Sequence, residues 1–169
     1  VLDKLRDLSK SKVRAKQAVD INDLLAYNLA LVLHRLNQKQ VELQEDLTEM
    51  GKIWADKDQL SQVLLNLINN ALDAMDGGEL IVRTRRVLAG AQGEMVEIDI
   101  ADTGPGISAE ELNRVFEPFY TTKGENGTGL GLPICLGIIK AHGGELVANS
   151  ELGSGTTFHI RLPVGDPTE

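Results

Sequence analysis

The chain has 169 residues, 42% hydrophobic and 25% charged, the make-up of an ordinary globular domain. Its formal net charge of −8 argues against a nucleic-acid surface, and any polyanionic ligand would need a divalent cation and backbone N–H groups to neutralise it. No apolar run approaches the ~20 residues of a membrane span, no signal-peptide pattern opens the chain, and Cys135, the only cysteine, fits a reducing compartment and leaves no zinc constellation with three scattered histidines.

Residues 1–19 begin with Leu2, Leu5 and Leu8 three apart, then turn basic and lose that spacing. They read as the tail of a helix followed by a linker. Asp20-Ile21-Asn22 offers caps for an amphipathic helix reaching Leu36, with Leu24, Leu25, Asn28 and Leu29 on its filled face. His34 in that helix reads as a solvated or core-edge histidine. Val41–Gln44 and Lys52–Ala55 read as short strands.

The next helix runs from Asp56 to about Met75, opened by an Asp56/Gln59 pair that resembles a capping box. Leu60, Val63, Leu64, Leu67, Ile68 and Ala71 fall on one face. Gln59, Gln62, Asn66, Asn69, Asn70 and Asp73 fall on the other. A solvated face normally carries Glu and Lys. Amides instead can donate, accept and ligate a hard cation through oxygen, and Asn70 is placed to do so beside Asn66, one turn earlier. A polar face lying under a loop is the competing reading.

Leu80–Arg85 and 95–101 predict neighbouring strands joined through Gly90–Gly93. The second ends on Asp102-Thr103-Gly104-Pro105-Gly106-Ile107. A carboxylate at the end of a strand can accept a hydrogen bond from an exocyclic amine such as adenine's, and Gly104 and Gly106 let backbone approach a flat ligand. The same stretch also fits a plain turn in which Ser108 caps a helix over 108–116. Phe116-Glu117-Pro118-Phe119-Tyr120-Thr121-Thr122-Lys123, followed by Gly124-Glu125-Asn126, suggests a lid with Lys123 reaching a terminal phosphate. Gly127-Thr128-Gly129-Leu130-Gly131-Leu132 then runs into a helix over 133–141, an anion site built of N–H groups with Pro133 tolerated in the first turn. His142-Gly143-Gly144 ends that helix. Gly144–Ser150 and Thr156–Leu162 make a last strand pair around Gly153-Ser154-Gly155, and Pro163 with a polar tail over 164–169 closes the domain. The order predicts an α+β domain, an open mixed sheet with helices on one face. The glycine spacing fits neither a P-loop nor a dinucleotide fingerprint, and no H-R-D or D-F-G is present.

NLINNALDAM, DTGPGI, FEPFYTTK, GTGLGL and GSGTTFHIRLP, in this order, resemble the catalytic ATP-binding domain of sensor histidine kinases in the GHKL ATPase superfamily, in its short-lid, nitrogen-regulation-like subgroup. The resemblance covers residues 20–163. It implies a two-layer α/β sandwich (the Bergerat fold) with a mixed, mostly antiparallel sheet and ATP between the asparagine helix and the lid. It implies that Asp102 binds the adenine amine, with Gly104, Gly106 and Thr156 completing that pocket. Asn70 would ligate Mg²⁺, Asn66 would stand close to the phosphates, and Phe119 and Lys123 would belong to the lid. Asn66 and Lys123 are the implied catalytic positions. Gly127, Gly129 and Gly131 would cradle phosphates, and Asp73, Ile107, Thr122, Thr128, Leu130 and Leu132 complete the implied nucleotide-binding set.

Asn66 stands where chaperone, gyrase and mismatch-repair relatives carry a water-activating glutamate, which favours phosphotransfer over hydrolysis. No histidine here is followed by the acidic residue and downstream proline of a phosphoacceptor motif. The resemblance places that motif before Val1, in a dimerisation hairpin whose last turns are residues 1–12. The expected partners are that phosphoacceptor domain and a response regulator, in the cytoplasm, without nucleic acid or membrane contact. Two further readings stay open: a nucleotide-sensing, protein-binding module without catalysis, and a serine kinase of the anti-sigma type.

Overall fold

The structure, a computed structural model, describes residues 15–121 and 129–165. Its first element is a strand, β1 (Gln17–Asp20), which pairs antiparallel with β3 (Lys52–Ala55). The sequence reading assigned residues 17–19 to a linker. Their pairing depends on a partner strand some 35 residues away, which local spacing does not reveal, and Val19 is buried. Asp20 caps α1 (Ile21–Leu31) by accepting the Asp23 N–H at 3.1 Å. The predicted single helix is in fact two. The chain leaves helical geometry at Val32 (φ −105°, ψ 5°) and resumes as α2 (Leu33–Gln38), which lets Leu29, Val32 and Leu36 all reach the core.

The main sheet has the order β2-β4-β5-β7-β6, formed by β2 (Val41–Leu47), β4 (Gly78–Leu88), β5 (Glu94–Asp102), β6 (Glu145–Glu151) and β7 (Gly155–Pro163). β2 lies parallel to β4; every other pair is antiparallel. The parallel pair needs a crossover, and α3 (Lys57–Ala74) supplies it together with β3. Helices α1, α3 and α5 (Gly131–Ala141) pack on one face of the sheet. Ile21, Leu25, Leu64, Leu67, Ile68 and Leu72 from the helices there meet Leu80, Ile98, Ile100 and Ile160 from the strands, all essentially inaccessible. Each is worth about 1.5–3 kcal/mol of burial.

The other face is a solvated ladder of charges, in which Glu97 joins Arg85 and Arg161 at 3.0 and 3.1 Å and Asp99 meets His159 at 2.6 Å. Burial pushes the Glu97 carboxyl up, but the two guanidinium groups outweigh it and hold the group below its ordinary value.

The helix expected over 108–116 is only α4 (Ala109–Leu112), opened by a full capping box between Ser108 and Glu111. It dissolves into turns because Pro118 disfavours helix at Glu117 and Val115 is drawn into the core. Helix α5 ends as read, with Gly143 at φ +74° and the Gly143 and Gly144 N–H groups returning to Lys140 and Ile139 carbonyls, both at 2.9 Å. Val164, placed by sequence in the polar tail, is part of the fold: its N–H bonds Glu94 and its carbonyl accepts from Trp54, joining the two sheets. Residues 166–169 lie outside the described residues. Among the described residues no helix is long and apolar enough to cross a membrane.

Candidate functional site

The apolar face of α3 fixes its rotation, and that rotation turns Asn66, Asn69, Asn70 and Asp73 toward a cavity of about 690 Å³. Asp56 caps the helix by accepting the Gln59 N–H at 3.2 Å. At the other end Lys39, the C-cap of α2, donates to the Leu72 and Met75 carbonyls at 2.6 and 3.0 Å, satisfying orphan acceptors there. Arg35 donates to Asn69 Oδ1 at 2.6 Å and to Asp73 Oδ1 at 2.7 Å.

Across the cavity stands Asp102, the last residue of β5, which is buried. Its Oδ1 accepts the Gly104 N–H at 2.9 Å and the Thr156 N–H at 3.3 Å. Burial pushes its carboxyl above the ordinary value, and the two backbone N–H groups oppose that rise. Pro105, Gly106, Ile107 and Thr156 continue this wall. Asp102 lines the cavity, and Ser108 caps the next helix.

The glycines have a different reason from the one sequence offered. A Cβ on Gly106 (φ +75°) would stand 2.2 Å from the Glu151 carbonyl oxygen, and one on Gly155 would stand 1.9 Å from that of Asp102. Gly104 lies behind Asp102, off the cavity wall, where a Cβ would meet Ala74 O and Asp102 Oδ1 at 3.0 Å. Protein backbone fills the space that Gly106 and Gly155 leave, and Gly104 is hemmed in by the Ala74 carbonyl and the Asp102 side chain. Ser150 completes the lock: its hydroxyl accepts the Ile107 N–H at 2.7 Å, donates to Gly155 O at 3.0 Å and meets Thr156 Oγ1 at 2.8 Å.

The third wall is the start of α5. Gly131, its first residue, opens onto the cavity with nothing within 4 Å of where a Cβ would be. Gly129, Leu132 and Pro133 also line it, while Leu130 is wholly buried behind. Proline at the third helical position leaves the N–H groups before it to face an anion. The Phe119 N–H donates to Gly129 O at 2.9 Å, and a Cβ on Gly129 would stand 2.3 Å from the Phe119 carbonyl carbon. The Phe119 side chain is 60% exposed and lies off the wall. Thr122, Lys123, Gly127 and Thr128 lie outside the described residues. The structure thus gathers Asn66, Asn70, Asp73, Asp102, Gly106, Ile107, Gly129, Gly131, Leu132 and Thr156 around one cavity, leaving Gly104, Phe119 and Leu130 in supporting places.

Sequence reasoning missed Arg35, Ser150 and Glu111, and read Tyr120 only as part of a lid stretch. The last two line the cavity, and the Arg114 guanidinium sits over the Tyr120 ring at 4.4 Å. The chemistry of Arg35 was visible, but its targets lie 34 and 38 residues away. Cys135, one turn into α5, is buried with its Sγ 3.9 Å from Val63 O and the Asn66 amide against it. Burial pushes this thiol up to about 12, so it is no nucleophile at neutral pH.

None of the described histidines reaches the cavity wall. His34 is exposed on α2 and His159 pairs with Asp99 on the far face of the sheet. His142 is buried; its Nε2 accepts the Asp56 N–H at 3.1 Å, so Nδ1–H donates to Ile138 O at 2.8 Å and the ring is neutral. Burial, the largest cause, lowers its proton affinity.

Residues 55–166 match the model of the histidine kinase-, DNA gyrase B- and HSP90-like ATPases. The chain is 40% identical over 165 residues to the sensor histidine kinase ZraS of Escherichia coli, covering 97% of this chain and 34% of that protein. It is 40% identical over 168 residues to the sensor kinase CckA of Brucella abortus, covering 92% of this chain and 18% of the relative. It therefore spans about a third or less of these relatives. Full-length ShkA in complex with AMPPNP superposes with a TM-score of 0.84 at 29% identity, over 96% of this chain and 35% of that one. The catalytic domain of the histidine kinase ThkA superposes at 0.78 and 27% identity, over 89% of this chain and 96% of its own. Five-stranded sheet, asparagine helix and matching sequence agree, and the chain belongs to the family of histidine kinase-, DNA gyrase B- and HSP90-like ATPases.

Proposed function

We propose that this domain binds Mg²⁺-ATP in the cavity between α3 and the start of α5, and passes the γ-phosphoryl to a histidine outside residues 17–165, for onward transfer to a response regulator. The observation that carries the reading is Asp102. A buried carboxylate has one oxygen engaged by two backbone N–H groups and stands on the cavity wall opposite a row of amides. That is the arrangement to accept a hydrogen bond from the adenine amine, and ShkA, a relative of the same fold, was solved with an ATP analogue.

The donor set suits Mg²⁺. Among the described residues no group of three or more His, Cys, Asp or Glu makes a protein-only cage. The cavity instead offers the amide of Asn70 with Asn66 one turn before it, matching an ion shared largely with phosphate oxygens. Bound there, Mg²⁺ supplies charge neutralisation. The chain's own residues do the positioning: Asp102 and Thr156 hold the base, Asn66 and Asn70 face the phosphates, and the N–H groups at Gly131 and Leu132 receive phosphate oxygens. Lys123, outside the described residues, would serve the γ-phosphate, and Gly127, Gly129 and Gly131 would cradle the phosphates, as the family resemblance implies. Phosphoryl transfer needs mainly such positioning and electrostatic relief. With Asn66 in place of a general base, direct hydrolysis should be slow, which favours phosphotransfer over hydrolysis. The three histidines discussed above stand away from the cavity, which supports an acceptor elsewhere.

Calorimetric titration with ATP, with and without Mg²⁺, tests the reading. Saturable binding that Mg²⁺ strengthens is expected, and Asn70→Ala should lose the Mg²⁺-dependent part while keeping the rest. A folded chain with no affinity for ATP would overturn it.

A further inference from the structure

The cavity is poor in positive charge. Its wall carries the carboxylates of Asp73, Asp102 and Glu111 and, among the described residues, no lysine or arginine. The chain as a whole has a net charge of −8. A polyphosphate entering such a cavity meets repulsion both locally and from the whole domain.

On the α3 side a guanidinium lies directly behind the wall. Arg35 reaches from α2 to donate to Asn69 Oδ1 and Asp73 Oδ1, at 2.6 and 2.7 Å, and both acceptors line the cavity. Its bonds differ in kind from those of Lys39 one turn later. Lys39 satisfies backbone carbonyls at the end of α3, a structural task. Arg35 ends on side chains, so the helix needs nothing from it, and an ion pair whose side chains are 35% and 36% exposed adds little to stability. Its effect falls on the cavity in two ways. It offsets the charge of Asp73. It also orients Asn69, because a guanidinium only donates, so the amide oxygen must face it and the NH₂ end is left for the cavity. An amide NH₂ suits phosphate or hydroxyl oxygens.

We infer that Arg35 is a positioning and specificity residue. By pairing with Asp73 and turning Asn69, it makes the α3 wall acceptable to the phosphate-bearing part of a nucleotide, favouring nucleotides over nucleosides. The inference rests on the nucleotide reading of the cavity.

The test measures ATP and ADP by calorimetry and adenosine by chemical-shift titration, on wild type, Arg35→Gln, Arg35→Lys and Arg35→Gln/Asp73→Asn, with melting temperatures recorded throughout. Arg35→Gln should weaken ATP about three- to tenfold, ADP less and adenosine not at all, with the loss shrinking as salt is added. Arg35→Lys should keep most of the affinity. Adding Asp73→Asn should restore most of it, since it removes the negative charge that Arg35 offsets, a rescue that a purely structural arginine would not show. Equal losses for all three ligands, no loss in Arg35→Gln, or no rescue by Asp73→Asn would overturn the inference and leave the nucleotide reading standing. Failure of the wild type to bind ATP would overturn both.

Discussion

Asp102→Asn separates binding from folding more cleanly than other changes at this site. Oδ1 of Asp102 carries the structural load, accepting the Gly104 and Thr156 N–H groups at 2.9 and 3.3 Å. Asparagine keeps that oxygen and both bonds, and replaces the other oxygen with an NH₂. Toward adenine the variant then presents a donor to a donor. Losing a hydrogen bond to a charged acceptor costs about 1.5–3 kcal/mol, so ATP should bind roughly ten- to a hundredfold more weakly. Stability should move the other way. Burial raises the folded-state pKa of this carboxyl above its ordinary 3.8. The group therefore favours the fold below 3.8 and loses that contribution as pH rises through the raised value. The neutral amide escapes the penalty, so the variant should be at least as stable as wild type at pH 7. Asp102→Ala, by contrast, abandons two buried N–H groups and should lose about 1–3 kcal/mol. Calorimetry with ATP and with inosine triphosphate, whose 6-position is a carbonyl, checks the direction of the bond: the variant should narrow the gap between the two. Wild-type affinity for ATP in a well-folded Asp102→Asn would refute the reasoning.

Three further perturbations bear on how the cavity walls are held. His142 is neutral and depressed below its ordinary 6.5, so its contribution to stability is complete above 6.5 and is lost as pH falls through the lowered folded value. Denaturant titrations from pH 8 to pH 5 should show this loss in wild type and a flatter profile in His142→Ala, which should itself be weaker by about 1–3 kcal/mol; parallel profiles would remove His142 from the account. Gly106→Ala places a Cβ 2.2 Å from backbone at φ +75° and should destabilise by about 2 kcal/mol or more in thermal unfolding. Gly131→Ala meets nothing within 4 Å and should leave the melting temperature unchanged or raised while weakening ATP in the same calorimetric assay, because its methyl enters the cavity.

Much of this was legible because single elements carry it. The apolar and amide faces of α3 repeat at the helical period, and Asp56 marks its start, so the helix and its exposed amides follow from local spacing. Asp102 was legible for the same reason, as the end of an alternating strand. What sequence concealed depends on partners far along the chain. Nothing local marks Val32 as a break, Gln17–Asp20 as a strand or Val164 as a bridge between sheets. Glycine at 106 or 155 announces that space is needed, but only the fold shows that the Glu151 and Asp102 carbonyls take it.

That difference has a consequence for how the two walls respond to change. The Asp102 wall is a backbone interlock: Gly153 N–H bonds Pro105 O at 2.8 Å, Ile107 N–H bonds Ser150, and Gly106 and Gly155 each pack against backbone from the opposite segment. No member can shift without the others, so substitutions there should act mainly on folding, and Asp102→Asn should be tolerated because it preserves the bonds. Around α3, Lys39 and His142 bond backbone at its two ends, while Arg35 bonds only the Asn69 and Asp73 side chains on the wall. Arg35 can be altered without removing a backbone hydrogen bond. On the proposed reading, affinity for the nucleotide should therefore be adjustable through Arg35 on the α3 side, while recognition of the base would be fixed by the part of the fold least able to change.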